Sequence, residues 1–317
     1  LLAQIELWRG ALLREMHRFD EAEHALRIAH ELREQRLAAE PDSAWLKREL
    51  AHVNYYLAYL LTGTGRLEEG LELLEAATGL DEQVVESFPD VAEYRRGASG
   101  IFDLLGHVLA ASGRPEDAEA AFRRAVTIRE KLVADAPALR VHADNLAGSY
   151  NSLGVFLELR GESGEAAEFF RKARGLWEEL VIPPPKTRTC ERNLAWMLVT
   201  CPQVEFRDHG RALELARRSM RSEGETARHW MLLGTAQYRA GDLAGAIESL
   251  HKSMEIAGGG DAQQWFVLSM IYVSQGDRVQ ARQWYDKGVA WIEEVHPSGL
   301  AYARWRAEAT ELMEVAR

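Results

Sequence analysis

Cysteine is nearly absent from this 317-residue sequence, with only Cys190 and Cys201, eleven residues apart. That spacing suits neither a metal site nor a redox pair, so two reduced thiols in a cytoplasmic protein are expected. No run of 18 apolar residues occurs, which excludes a membrane-spanning helix. No basic-then-apolar leader opens the chain. Proline is scarce, at nine residues, and lysine scarcer, at six against 32 arginines. Runs of β-branched residues are missing, and the Ala, Leu, Glu and Arg that fill the sequence favour helix throughout. With 47% hydrophobic and 27% charged residues, disorder, collagen and a disulfide scaffold are excluded. There is no initiator methionine. The first residues, Leu1-Leu2-Ala3-Gln4-Ile5, are already apolar and helical, so a piece of a longer polypeptide is expected.

The formal net charge of −11 is unevenly placed: residues 1–98 hold 19 acids against 11 bases. Between Leu67 and Tyr94 nine acids occur without one Lys or Arg. Such a strip repels phosphates, so nucleic acid is not expected as a partner. A solvated outer helix face is its simplest reading, and a basic partner the alternative.

Self-similarity organises the chain. Pro41, Pro89 and Pro137 recur every 48 residues, as do Gly65, Gly113 and Gly161, and the small residues Gly10, Ala58, Gly106 and Gly154. Further on the period shortens: Tyr150, Leu194, Trp230 and Trp265 are separated by 44, 36 and 35 residues. Each unit reads as two helices about a glycine turn. The second helix carries small, large and small residues at i, i+4 and i+7, as in Ala118/Phe122/Ala125, Ala166/Phe170/Ala173, Ala246/Leu250/Ser253 and Ala281/Tyr285/Gly288. Those offsets share one helix face, where small members admit a close neighbour and the large one fills the gap. Length alone would imply two domains of about 150 residues, but a repeat array has no single core to outgrow.

The Trp-x-x-Leu-Gly at Trp230, the Gly241-Asp242 turn and the Ala-x-x-x-Leu/Phe-x-x-Ala triplets resemble the tetratricopeptide repeat. The resemblance covers essentially the whole chain. It weakens at the first hairpin, where His17 replaces the turn glycine, and at the fifth, where Ala216 replaces the large residue. It implies an all-α superhelix, a solenoid of seven helical hairpins with a C-terminal capping helix at 298–317. Residues 1–181 form the long-helix repeats and 190–297 the shorter ones, with a Pro-rich connector over 182–189 around Pro183-Pro184-Pro185. The segments Asn193-Leu194-Ala195-Trp196, Tyr238-Arg239-Ala240-Gly241-Asp242 and Ala281-Arg282-Gln283-Trp284-Tyr285 are further similar to repeat regions of large bacterial multidomain signalling proteins, often behind a serine/threonine kinase or WD-repeat domain.

No catalytic constellation survives inspection. Gly63-Thr64-Gly65 falls at a hairpin turn and is no phosphate loop, and Gly258-Gly259-Gly260 reads as a helix cap and linker. No protein-kinase signature occurs. His17, Glu21 and His24 share a face, but no second cluster supports a metal. Adjacent acids such as Glu178-Glu179 point to different faces. The tryptophans at repeat positions, Trp230, Trp265 and Trp284, read as core. The chain is therefore expected not to be an enzyme and to use no cofactor.

The resemblance implies that ligands lie in the concave groove lined by the first helices. Counting from the packing residues, the inward positions are His52, Tyr55, Tyr59, Asp103 and His107, then Asn151, Arg192, Arg228, Met231 and Thr235, then Gln263, Phe266 and Met270. Any one of them could instead pack between hairpins. Aromatic and mixed polar groups suit a peptide or a helix. The family's terminal-carboxylate clamp needs Lys and Asn here; no inward position is Lys and Asn151 stands alone, so that mode is not expected. The reading is a protein-interaction module for a peptide, a partner or the parent's own N-terminal signalling domain. A structural spacer or oligomerisation arm is the alternative.

Overall fold

In the computed structural model, residues 1–16, 18–182, 189–295 and 300–315 are described. The expected turn at His17 and the connector at Pro183–Pro185 lie outside them. The described residues contain fifteen α-helices and no strand. They pair as seven successive hairpins followed by one more helix. The first three hairpins are α1 (Leu2–Glu15) with α2 (Phe19–Ala39), α3 (Ala44–Gly63) with α4 (Leu67–Ser87), and α5 (Ala92–Ala111) with α6 (Pro115–Asp135). The next four are α7 (Arg140–Leu159) with α8 (Ser163–Leu180), α9 (Thr189–Thr200) with α10 (His209–Glu223), α11 (Ala227–Arg239) with α12 (Leu243–Ala257), and α13 (Ala262–Ser274) with α14 (Arg278–Val295). The last helix is α15 (Leu300–Val315).

Two compact units result, one built on Leu1–Asp135 and the other on Ala136–Val295 together with α15 from Ala301 onward. Each consists of helical hairpins, and five of the turns among the described residues are made by glycine. Gly65, Gly113, Gly161, Gly241 and Gly276 all adopt positive φ, between 74° and 87°, a region closed to most side chains but open to glycine.

The small-large-small triplets set the packing. In the first unit Gly10 faces Leu26 and Gly106 faces Phe122; in the second Gly154 faces Phe170 and Gly234 faces Leu250. A Cβ on any of these glycines would lie 2.6–2.8 Å from the opposing side chain. The flanking alanines, Ala22, Ala29, Ala118, Ala125, Ala166 and Ala173, are wholly buried. Small residues thus let the paired helices meet closely, and one large residue fills each crossing.

The fifth hairpin departs from the pattern. Its first helix is only 12 residues long and is followed by a single 3-10 turn at Val204–Phe206. The extra residues put the Phe206 ring 5.7 Å from that of Phe170. The neighbouring hairpin thereby receives an aromatic where the triplet of this one offers only Ala216. Asp208, Asp242 and Asp261 accept from backbone amides at the starts of α10, α12 and α13. They satisfy donors a helix otherwise leaves open.

Candidate interaction faces

In the first unit, α1, α3 and α5 supply the first-helix face. About two turns of α3 place His52, Tyr55, Tyr56 and Tyr59 along it, because residues three and four apart share a helix face. The rings are in contact: His52 to Tyr56 at 5.0 Å, Tyr55 to Tyr56 at 5.4 Å and Tyr55 to Tyr59 at 6.4 Å between centroids. Trp8 of α1 joins edge-on, 6.4 Å from His52 and 6.3 Å from Tyr56. The Arg14 guanidinium lies over the Tyr59 ring at 4.4 Å, a cation–π contact. Tyr59 keeps 41% of its surface exposed.

Asp103 and His107 continue the face on α5. Arg129 of α6 approaches the Asp103 carboxylate at 3.6 Å, and the His107 ring packs edge-on against Phe122 at 4.9 Å. Burial pushes the Tyr55 phenol up to about 12, helped by Tyr59 and Asp103. Burial also holds His52 below the usual histidine range, with Glu49 opposing and Arg48 adding to the effect. His107 is lowered in the same way against the pull of Asp103. The face therefore presents neutral aromatic rings at neutral pH.

Sequence reasoning missed Trp8, Arg14 and Tyr56. Trp8 was readable, since it precedes Tyr56 by the 48-residue period. Arg14 carried no such signal. Eight of the nine acids of the strip are exposed, as on a solvated outer face, and some of them are paired. Glu69 pairs with Arg66 and Arg27, Glu75 with Arg114, and Glu93 with Arg48 and Arg96. Asp81 is buried, and burial raises its carboxyl to about 7 although Arg48 draws it down. Part of the basic partner the strip needs comes from neighbouring helices of the same unit.

In the second unit the named positions do not form one open face. Asn151, Arg192 and Met231 are half-buried and Arg228 is exposed; Arg192 is engaged by Glu223 at 2.6 Å. Thr235, Gln263, Phe266 and Met270 are buried rather than inward-lining. Phe266 fills the space left by Gly288, whose Cβ would lie 2.8 Å from its ring. Thr235 returns its hydroxyl to the Met231 carbonyl at 2.8 Å. α15 adds to this burial. Trp305 and Ala309 join the cluster that contains Phe266 and Met270. Tyr285 and Thr310 are hydrogen-bonded at 2.8 Å. Farther back, Arg239 at the end of α11 donates two hydrogen bonds to the Glu308 carboxylate and lies over the Trp305 ring at 5.3 Å. Burial lowers Arg304 to about 10, with Glu308 opposing and Arg207 and Arg239 adding to the effect.

Cys190 and Cys201 are both buried and in no disulfide, and the Cys190 thiol donates to the Leu180 carbonyl. Among the described residues no group of three or more His, Cys, Asp or Glu could hold a metal ion, and no helix is long and apolar enough to cross a membrane.

Family models described as tetratricopeptide repeat match residues 101–136 and 146–181, and residues 203–262. Those stretches carry tetratricopeptide repeats. The matched stretches coincide with hairpins whose glycine turns and buried alanines are described above. Solved structures with a similar fold include the Rap conjugation gene regulator of the plasmid pLS20 in complex with the Phr* peptide, at 18% identity and a TM-score of 0.61 over 92% of this chain and 73% of that one. A Rap protein complexed with competence and sporulation factor is similar at 15% identity and 0.60, over 94% and 76% of the two chains. The apo form of RapI is similar at 14% and 0.57, over 93% and 99%. These likenesses extend the repeat architecture across the chain. No curated protein matches the sequence.

Proposed function

We propose that this protein is a non-catalytic interaction module that takes a peptide, or a partner or parent signalling domain, on the first-helix face of its repeats. The observation that carries the reading is the row of Arg14, Tyr59 and Tyr55. These aromatic and cationic groups lie in mutual contact on the first unit and part of the row faces solvent. Rigid aromatic surface with little rotamer entropy to lose is what peptide-binding faces use. In the second unit α15 already lies against α13, so the first unit is the better place for a ligand. The Rap regulator solved with the Phr* peptide has the same kind of fold, which fits a peptide ligand. The sequence resemblance supports a cytoplasmic setting, as part of a bacterial kinase- or WD-repeat-associated protein.

The test is selection of a displayed random-peptide library on the protein, followed by binding of the enriched peptides to Tyr55→Ala/Tyr59→Ala. A loss of tenfold or more, about 1.4 kcal/mol, with unchanged helical circular dichroism is expected. Enriched peptides that bind the double variant as well as the original protein would overturn the reading.

A further inference from the structure

α15 is an amphipathic helix that covers more of the second unit than the last hairpin. Trp305 and Ala309 are buried, Tyr302, Leu312 and Met313 are half-buried, and Ala303, Ala307 and Glu311 are exposed. The covered positions recur at i, i+3, i+7 and i+10, which is one helix face. One flank of that face meets α14: the Tyr302 ring lies 5.5 Å from that of Trp291, and Thr310 is hydrogen-bonded to Tyr285 at 2.8 Å. Its centre meets α13, where Trp305 and Ala309 share a cluster with Phe266 and Met270. A helix that only continued the array would stop there, because each repeat touches its immediate neighbours alone.

α15 goes one hairpin farther. Its other flank reaches α11, where Glu308 accepts two hydrogen bonds from Arg239 and the Arg239 guanidinium lies over the Trp305 ring at 5.3 Å. Tyr238 of α11 packs against the same cluster. α15 thus lies across two successive first helices, as a bound helix lies in a groove. The match fails at one residue. Arg304 stands one turn before Glu308 on the α11 flank, and its Nη2 is buried without a hydrogen-bond partner among the described residues. Its surroundings are cationic: burial lowers Arg304 most, Glu308 opposes, and Arg207 and Arg239 add to the effect. Arg207 is held in place by the Cys201 carbonyl at 2.7 Å and the Pro202 carbonyl at 3.1 Å. The receptor side therefore offers two guanidiniums to a helix that brings one carboxylate and a third guanidinium.

We propose that the α11–α13 face is a receptor for an acidic amphipathic helix of a partner protein, of the pattern acid-aromatic-x-x-acid, and that α15 is its weaker, tethered occupant. The partner's first acid takes the place of Arg304 and accepts charge-assisted hydrogen bonds from Arg207 and Arg239. Its aromatic residue takes the place of Trp305 and its second acid that of Glu308. A tether raises the local concentration of α15 to on the order of millimolar, so a poorly matched helix keeps the apolar face covered. A better matched helix in trans displaces it, and the repulsive residue in the resident sets the difference. The face is separate from the row of Arg14, Tyr59 and Tyr55 on the first unit.

The experiment titrates two labelled peptides of residues 300–315, one of native sequence and one carrying Arg304→Glu, into the 317-residue protein by fluorescence polarisation. The Arg304→Glu peptide is expected to bind saturably, at least tenfold tighter than the native peptide, and to speed hydrogen exchange of the resident α15 amides at least tenfold. Arg239→Met in the protein should erase the preference between the peptides. Arg304→Glu placed in the protein itself should slow α15 exchange and weaken binding of the Arg304→Glu peptide at least tenfold. Tyr55→Ala/Tyr59→Ala should change none of this, which keeps the two faces distinguishable. Equal affinity for the two peptides, no saturable binding of either, or α15 exchange as fast in the Arg304→Glu protein as in the original would overturn the proposal. So would a dimer, seen by sedimentation, that Arg239→Met dissociates, since it would assign the face to α15 of a second copy.

Discussion

The ring of Phe122 occupies the space that a Cβ on Gly106 would need: three of its atoms lie within 2.9 Å of that position. Glycine in a helix interior costs about 0.5–1 kcal/mol relative to alanine, so Gly106→Ala should be stabilising if propensity alone ruled. Overpacking a fully buried crossing costs about 1–3 kcal/mol, and that effect wins here. Gly106→Ala is expected to lower stability in urea unfolding, and adding Phe122→Leu to restore part of it. At Gly79 and Gly148 a Cβ meets nothing within 4 Å, so alanine there should raise stability by about 0.5–1 kcal/mol. The same sign at Gly106 and Gly148 would refute the packing argument.

Asp81 makes a pH prediction. Its carboxyl is raised to about 7 by burial, against the pull of Arg48. The folded state therefore binds its proton more tightly than the unfolded chain does, and stability falls as pH rises from about 4 to about 7. Asp81→Asn removes this dependence. The variant should be more stable than the original protein at pH 8, by up to a few kcal/mol, and near parity at pH 4. Denaturant titrations at the two values decide the matter, and an unchanged difference between them would count against a buried, protonated Asp81.

The Arg239–Glu308 pair ties α15 to α11. Arg239 is nine-tenths buried on its side chain, so removing its partner strands a charge. Glu308→Ala should cost about 3 kcal/mol or somewhat less, whereas Arg239→Met/Glu308→Leu should be close to neutral. Calorimetric melting of the single and double variants separates the outcomes. A double variant as damaged as the single would mean that the pair does more than compensate its own desolvation.

Both cysteines are buried, and burial raises the Cys201 thiol to about 11. Since the thiolate is the reactive form, a disulfide reagent at pH 8 should titrate no thiol in the native protein and two after denaturation. Rapid native labelling would show that the fifth hairpin opens.

Most of the repeat fold was legible because its determinants are local. The positive-φ glycines, the alanine triplets and the large residue between them recur at fixed intervals and need no knowledge of distant partners. The face on α3 was legible for the same reason, since Tyr55 and Tyr59 are one turn apart. What could not be read depends on long-range closure. Phe266 and Met270 look inward by counting from Trp265, but they belong to a buried cluster that also takes in Tyr285 of α14 and Trp305 of α15, some 20 and 40 residues downstream in sequence. The acids of α4 look unpaired within their own helix, yet Glu69 and Glu75 find arginines on α2 and in the turns after α3 and α5. Periodicity finds faces; it does not say which faces are shared.

Four of the hairpin crossings fall into two kinds, glycine against phenylalanine (Gly106/Phe122, Gly154/Phe170) and glycine against leucine (Gly10/Leu26, Gly234/Leu250). Each pair acts as a lock and key between the two halves of one hairpin. Recombination that exchanges whole hairpins keeps every key with its lock, while recombination within a hairpin is safe only between members of the same kind. The sequence of this chain can therefore be shuffled at its inter-hairpin prolines and not at its turn glycines, except where phenylalanine meets phenylalanine or leucine meets leucine.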